Sequence, residues 1–115
     1  MKKFLLFLAV TGMVLGMAWI SFGADSAKPL IIDVRTEAEW NNGHLEGAIL
    51  IPYARIGEKI GAVAKDKSEP IYVYCRSGRR SQIAKGTLEK LGYKDVRNLG
   101  SLEDAAKTMK VRIVK

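Results

Sequence analysis

The sequence predicts an α/β domain, a parallel sheet flanked by helices on both faces. Three observations point there. Short runs rich in β-branched and aliphatic residues recur at 30–34, 48–51, 71–74 and 96–99. Segments with helical spacing of apolar positions separate them, the alternation that builds parallel sheets through right-handed crossovers. The chain of 115 residues carries no internal repeat or low-complexity tract, so it has room for one compact core and not two.

Taken in order, residues 1–23 stand apart. Lys2 and Lys3 precede an uncharged, mostly apolar run from Phe4 to Ile20, followed by the small residues Ser21 and Gly23. This is the pattern of an export signal cleaved after Gly23, leaving a domain at 24–115. The run also approaches the ~20 residues that span a bilayer, and Trp19 suits an interface, so an uncleaved membrane anchor is the alternative. Either reading delivers the domain to an extracytoplasmic location.

The first strand at 30–34 ends in Asp33 and Arg35, at the edge where open α/β sheets bind ligands. Thr36 is a helix N-cap with Glu37 and Glu39 in the first turn, and the short helix stops near Gly43. His44 falls in a turn between glycines. Pro52 ends the second strand, and Ile56, Ile60 and Val63 form a core stripe on the helix at 53–64. A helix at 81–91 presents Ile83, Ala84, Thr87, Leu88 and Leu91 on one side and stops at Gly92. Gly100 is expected to open a short helix to about Lys107, with 111–114 extended or a tail.

The strand at 71–74 runs directly into Cys75-Arg76-Ser77-Gly78-Arg79-Arg80-Ser81. A lone cysteine is commonly a small buried hydrophobe. Three arginines within five residues argue instead for an exposed anion-binding loop, because such charges are costly to bury. A thiol at a strand-to-helix junction meets converging backbone N–H groups and the positive end of the helix dipole, both of which favour the thiolate. In an oxidising compartment this single cysteine also has no internal disulfide partner.

The formal net charge is +7, but the lysines are scattered, with no dense basic tract and no aromatic interleaving. That is the pattern of a solvated surface, and nucleic-acid binding is not expected. One Cys and one His do not supply a zinc site, so no metal is expected.

The loop from Cys75 to Ser81 resembles the active-site loop of rhodanese-type sulfurtransferases. Ile31-Ile32-Asp33-Val34-Arg35 with Glu37, Glu39 and Trp40 is similar to that family's first strand and turn. Gly43-His44-Leu45-Glu46-Gly47-Ala48 running into Ile49-Leu50-Ile51-Pro52 is similar to its second signature. The small, single-domain, exported bacterial members are nearest in layout. The resemblance implies a rhodanese-like domain that carries sulfur as a Cys75 persulfide, from thiosulfate to cyanide, a dithiol or a thiol protein, in the periplasm and without a cofactor. Cys75 is then catalytic, and Arg76, Ser77, Gly78, Arg79, Arg80 and Ser81 bind substrate, with Arg80 expected to matter most. Asp33 and Arg35 support them from behind, as an ion pair or through substrate. The family motif around His44 is structural, so His44 is not expected to act as a base.

The sequence leaves two other functions open. A cysteine-dependent phosphatase or arsenate reductase has a C-x5-R loop, and the arginine position of that pattern is Ser81 here, Arg80 being one place early. A non-enzymatic persulfide carrier or anion-binding module would share the loop but not the turnover.

Overall fold

The computed structural model describes residues 28–115. The segment read as an export signal or anchor lies outside the described residues. Strands β1 (Leu30–Asp33), β3 (Ile49–Leu50), β4 (Ile71–Cys75) and β5 (Val96–Ser101) form one parallel sheet in the order β3-β1-β4-β5. Two-residue strands β2 (His44–Leu45) and β6 (Ile113–Val114) pair antiparallel beside it. The helices are α1 (Glu37–Asn41), α2 (Ile56–Val63), α3 (Arg79–Lys90) and α4 (Leu102–Met109), with a 3-10 turn at Tyr53–Arg55 before α2.

Alternation along the strands divides the core into two layers. On one face Ile32, Val34, Ile71, Val73, Cys75 and Val96 pack with Ile56, Ile60, Ala84 and Leu88 from α2 and α3. On the other, Tyr74 packs with Leu45 and with Ala105 of α4. The sheet is therefore covered on both faces, as the strand and helix alternation requires. Tyr74, fully buried, donates no charge to this layer: burial, the largest influence, raises its phenol well above the usual range. Its oxygen accepts the Leu45 N–H at 3.0 Å.

Thr36 caps α1 in a full capping box, its hydroxyl accepting the Glu39 N–H while the Glu39 carboxylate accepts the Thr36 N–H. Other boundaries differ from the sequence reading. Helix α3 begins at Arg79, two residues early, because a left-handed Gly78 turns the chain directly out of β4. Gly100 lies within β5, and α4 starts at Leu102 with Ser101 as its N-cap, the Ser101 hydroxyl accepting the Asp104 N–H. The extended tail is a strand that closes on β2. Only part of each expected apolar stripe is core: Val63, Ile83 and Leu91 are exposed while Ile56, Ile60, Ala84 and Leu88 are buried. Short helices laid on a four-stranded sheet have no second layer to cover their flanks.

Arg35 crosses from β1 toward the turn after α1. Its Nη2 donates to Asp33 Oδ2 at 2.7 Å and to the Gly43 carbonyl at 2.6 Å, and its Nε donates to both Asp33 oxygens at 2.9 and 3.1 Å. Both residues are buried. Removing one partner of such a pair leaves an uncompensated charge in the interior. Asp33→Ala is expected to lower stability by about 3–5 kcal/mol in urea denaturation, far more than an exposed-pair variant such as Glu58→Ala, whose partner Arg55 is in solvent.

Candidate active site

Strands β1 and β4 are neighbours at the centre of the sheet, and the chain leaves them in opposite directions, to β3 on one side and to β5 on the other. Such a reversal opens a crevice at the C-terminal strand ends. Cys75 is the last residue of β4, and Asp33 the last of β1.

Only Arg76, Ser77 and Gly78 separate Cys75 from α3. Gly78 takes φ +100°, a left-handed conformation that a side chain would strain. The tight return brings the Gly78 N–H to within 2.9 Å of Cys75 Sγ, where it donates. The Ser81 hydroxyl lies 3.4 Å from the same sulfur. Cys75 is fully buried, so the thiol is not exposed as the sequence suggested; what is exposed is the loop beside it, at Arg76, Ser77 and Arg79. Burial pushes the thiol up. The Ser81 hydroxyl and the amides of Ser81, Gly78 and Ser77 outweigh it and hold Cys75 below its ordinary value.

The three arginines do not share one fate. Arg76 and Arg79 project into solvent. Arg80 makes a two-pronged contact with Glu39, Nη1 to Oε1 and Nη2 to Oε2, both at 2.9 Å. The Arg80 hydrogen bond, aided by Thr36, pushes the Glu39 carboxyl down to about 2. Arg80 thus ties α3 to α1 instead of standing free at the rim, and the expectation of three unpaired charges there is corrected to two.

Arg35 also reaches the site. With Glu39, Asn42, Arg76, Leu102 and Glu103 it lines a cavity of about 260 Å³ next to the cysteine loop. Asp33 holds Arg35 and does not line it. His44 is turned elsewhere: its Nδ1 donates to the Trp40 carbonyl at 2.9 Å and its ring stacks on Trp40, centroids 3.5 Å apart. It makes no hydrogen bond to the sulfur. Among the described residues no three His, Cys, Asp or Glu side chains group as metal ligands.

One participant escaped the sequence reading. Asn98 on β5 sits at a register shift, where Val73 faces Asn98 but Tyr74 faces Gly100. Its Oδ1 accepts the Gly100 N–H at 2.9 Å and the Ser81 hydroxyl at 2.6 Å; its Nδ2 donates to the Gly78 carbonyl at 3.0 Å and to Gln82 Oε1 at 3.1 Å. The available signal was an asparagine two residues before a glycine inside a strand pattern, which marks a bulge.

A thiol cradled by loop amides at a sheet's switch point defines a class of cysteine-dependent α/β domain. The chain belongs to the rhodanese-like domain family, whose pattern matches residues 18–107. It is similar to the thiosulfate sulfurtransferase PspE of Escherichia coli K12, 41% identical over 75 residues that cover 65% of this chain and 72% of that one. A sulfurtransferase of Allochromatium vinosum is 37% identical over 66% of this chain and 69% of its own. Among solved structures, a rhodanese from E. coli with bound anions superposes with a TM-score of 0.71 at 38% identity, covering 76% of this chain and 99% of that one. A thiosulfate sulfurtransferase from Pseudomonas aeruginosa matches with a TM-score of 0.68 at 28% identity, this chain spanning only 16% of its length. The family is one of sulfurtransferases, and the single-domain architecture agrees with its small members.

The Glu39 clamp has a pH signature. A carboxyl held at about 2 when folded, against 4.5 as the ordinary value, stabilises the fold fully above pH 4.5 and loses that contribution as pH falls through about 2. Urea denaturation of the native protein and of Glu39→Gln should therefore differ most above pH 4.5, and the gap should close toward pH 2. A gap independent of pH would mean that the clamp carries no charge-dependent stability.

Proposed function

We propose that this chain is a thiosulfate sulfurtransferase working through a Cys75 persulfide. The observation that carries the reading is the set of polar groups around one buried sulfur: the Gly78 N–H donating at 2.9 Å and the Ser81 hydroxyl at 3.4 Å, with no general base among the described residues bonded to it. Rhodanese-family membership and the similarity to PspE support the same chemistry.

In the first half-reaction the Cys75 thiolate attacks the outer sulfur of thiosulfate. A new S–S bond forms, the S–S bond of thiosulfate breaks, and its electron pair leaves with sulfite. Sulfite is a stable anion and needs no proton to depart, so His44 is not required. The loop amides then hold Cys75–S–S⁻. In the second half-reaction cyanide or a thiolate attacks the outer sulfur, and the pair of the breaking S–S bond returns to Cys75, a ping-pong cycle. Arg76 and Arg79, free at the rim, draw in the dianion; Arg35, Arg76 and Leu102 frame the space beside the loop. The loop is one residue short of C-x5-R, and this disfavours a tetrahedral oxyanion at the thiol. An N-terminal export signal at 1–23 would place the reaction outside the cytoplasmic membrane.

Mass spectrometry after mixing with thiosulfate tests this directly. The protein should gain one sulfur that cyanide removes with turnover; a gain without turnover would make it a carrier, and no gain would sink the reading. Cys75→Ser should abolish the reaction, and His44→Ala should retain most of it.

The arginines should separate as well. Arg79→Ala should lower kcat/KM for thiosulfate roughly tenfold, the scale of one charge-assisted hydrogen bond, and salt should mask the loss. Arg80→Ala should mainly lower stability, because its charge is already spent on Glu39. If Arg80→Ala were the salt-sensitive variant and Arg79→Ala silent, the assignment of free and paired arginines would be wrong.

A further inference from the structure

The Ser81 hydroxyl is fully buried and has one proton, yet three acceptors surround it: Asn98 Oδ1 at 2.6 Å, the Gly78 carbonyl at 3.1 Å and Cys75 Sγ at 3.4 Å. The Asn98 amide can be oriented only one way. Gly100 N–H donates to one of its ends, which must be oxygen, while the Gly78 carbonyl and Gln82 Oε1 lie against the other, which must be nitrogen. At 2.6 Å from that oxygen, Ser81 has to be donating to it; two lone pairs would repel at this distance. Ser81 then turns lone pairs toward Cys75, an arrangement that suits a protonated thiol, whose S–H donates to Oγ. A thiolate needs the reverse, the hydroxyl rotated onto sulfur. Asn98 tolerates that rotation because Gly100 N–H still occupies its oxygen.

We propose that Asn98 is a positioning residue that acts through Ser81: it holds the Ser81 proton while Cys75 is protonated or carries sulfur, and releases it to the free thiolate. The hydroxyl is thereby never left unpaired in the interior, and the anion is favoured only when the sulfur is unloaded. This rests on the sulfurtransferase reading for its place in the cycle, but the proton sharing itself does not. The Gly78 carbonyl, 3.1 Å from Ser81 Oγ, is the weaker competitor for the proton, because it already accepts the Asn98 amide and the Gln82 N–H. Arg80 of α3 is the charged neighbour that feels Cys75, itself paired with Glu39 of α1, with the Tyr53 hydroxyl of the 3-10 turn beyond; β5 contributes Asn98, Gly100 and Ser101, and the Asp104 carboxylate of α4 lies beside Gly100.

The test is the pH dependence of Cys75 alkylation by iodoacetamide in the native protein, Asn98→Ala, Ser81→Ala and the double variant, which needs no sulfur donor. Asn98→Ala frees the hydroxyl for sulfur and should shift the profile to lower pH, speeding alkylation about two- to tenfold below the midpoint, the range of one neutral hydrogen bond. Ser81→Ala should shift it to higher pH, and the double variant should match Ser81→Ala, the signature of action through one residue. Asn98→Asp keeps the acceptor and adds negative charge, so it should slow alkylation; it also serves if the alanine variant folds poorly. A purely structural Asn98 would loosen the loop instead. Both Asn98 variants would then slow alkylation, with the alanine effect undiminished in the Ser81→Ala background, and that result would overturn the proposal. Sulfur transfer from thiosulfate, measured separately, could fail without altering these profiles.

Discussion

The site depends on a single backbone conformation, the left-handed turn at Gly78. It lets the chain pass from the end of β4 into the first turn of α3 within three residues, so that an amide which begins a helix also faces the sulfur that ends a strand. A side chain there would be strained by φ, and its Cβ would already touch the Gly100 backbone at 3.5 Å, an ordinary van der Waals contact. The turn and the bulge of β5 are thus fitted to each other. Asn98 bonds both, reaching the Gly78 carbonyl with one end of its amide and the Gly100 N–H with the other.

The opening of α3 is electrostatically unusual. Arginines in the first turn oppose the helix dipole, which favours negative charge at that end. Two things offset the conflict. Arg80 is neutralised by Glu39 through a contact between helices, and the sulfur supplies an anion when ionised. Glu39 answers Arg80 whether or not the loop is filled, whereas Arg79, which has no ion pair among the described residues, is balanced by something negative in the loop.

How much of this was legible in the sequence follows from how local each feature is. The α1 capping box, the strand into Cys75 and the Asp33–Arg35 pair, two residues apart, depend on near neighbours and could be read directly. The burial of Cys75 could not, because it comes from α2 and α3 packing over the sheet. Nor could the Glu39–Arg80 contact, whose partners lie far apart in the chain, so Arg80 read as a free charge. Asn98 was missed because its role exists only once β5 lies beside β4 with a one-residue slip. The exposed Val63, Ile83 and Leu91 show the converse error: helical spacing marks which residues share a side, but the width of the sheet decides how much of that side is covered.

The stack of Trp40 on His44 sits one residue from Glu39 and hence from the contact that joins α1 to α3. The surroundings of an indole lying flat on an imidazole change with any movement that parts the two rings. The domain therefore carries an optical reporter of its own, built from two native side chains. Its brightness records any movement of α1 against the strand that His44 begins, without a dye or a label.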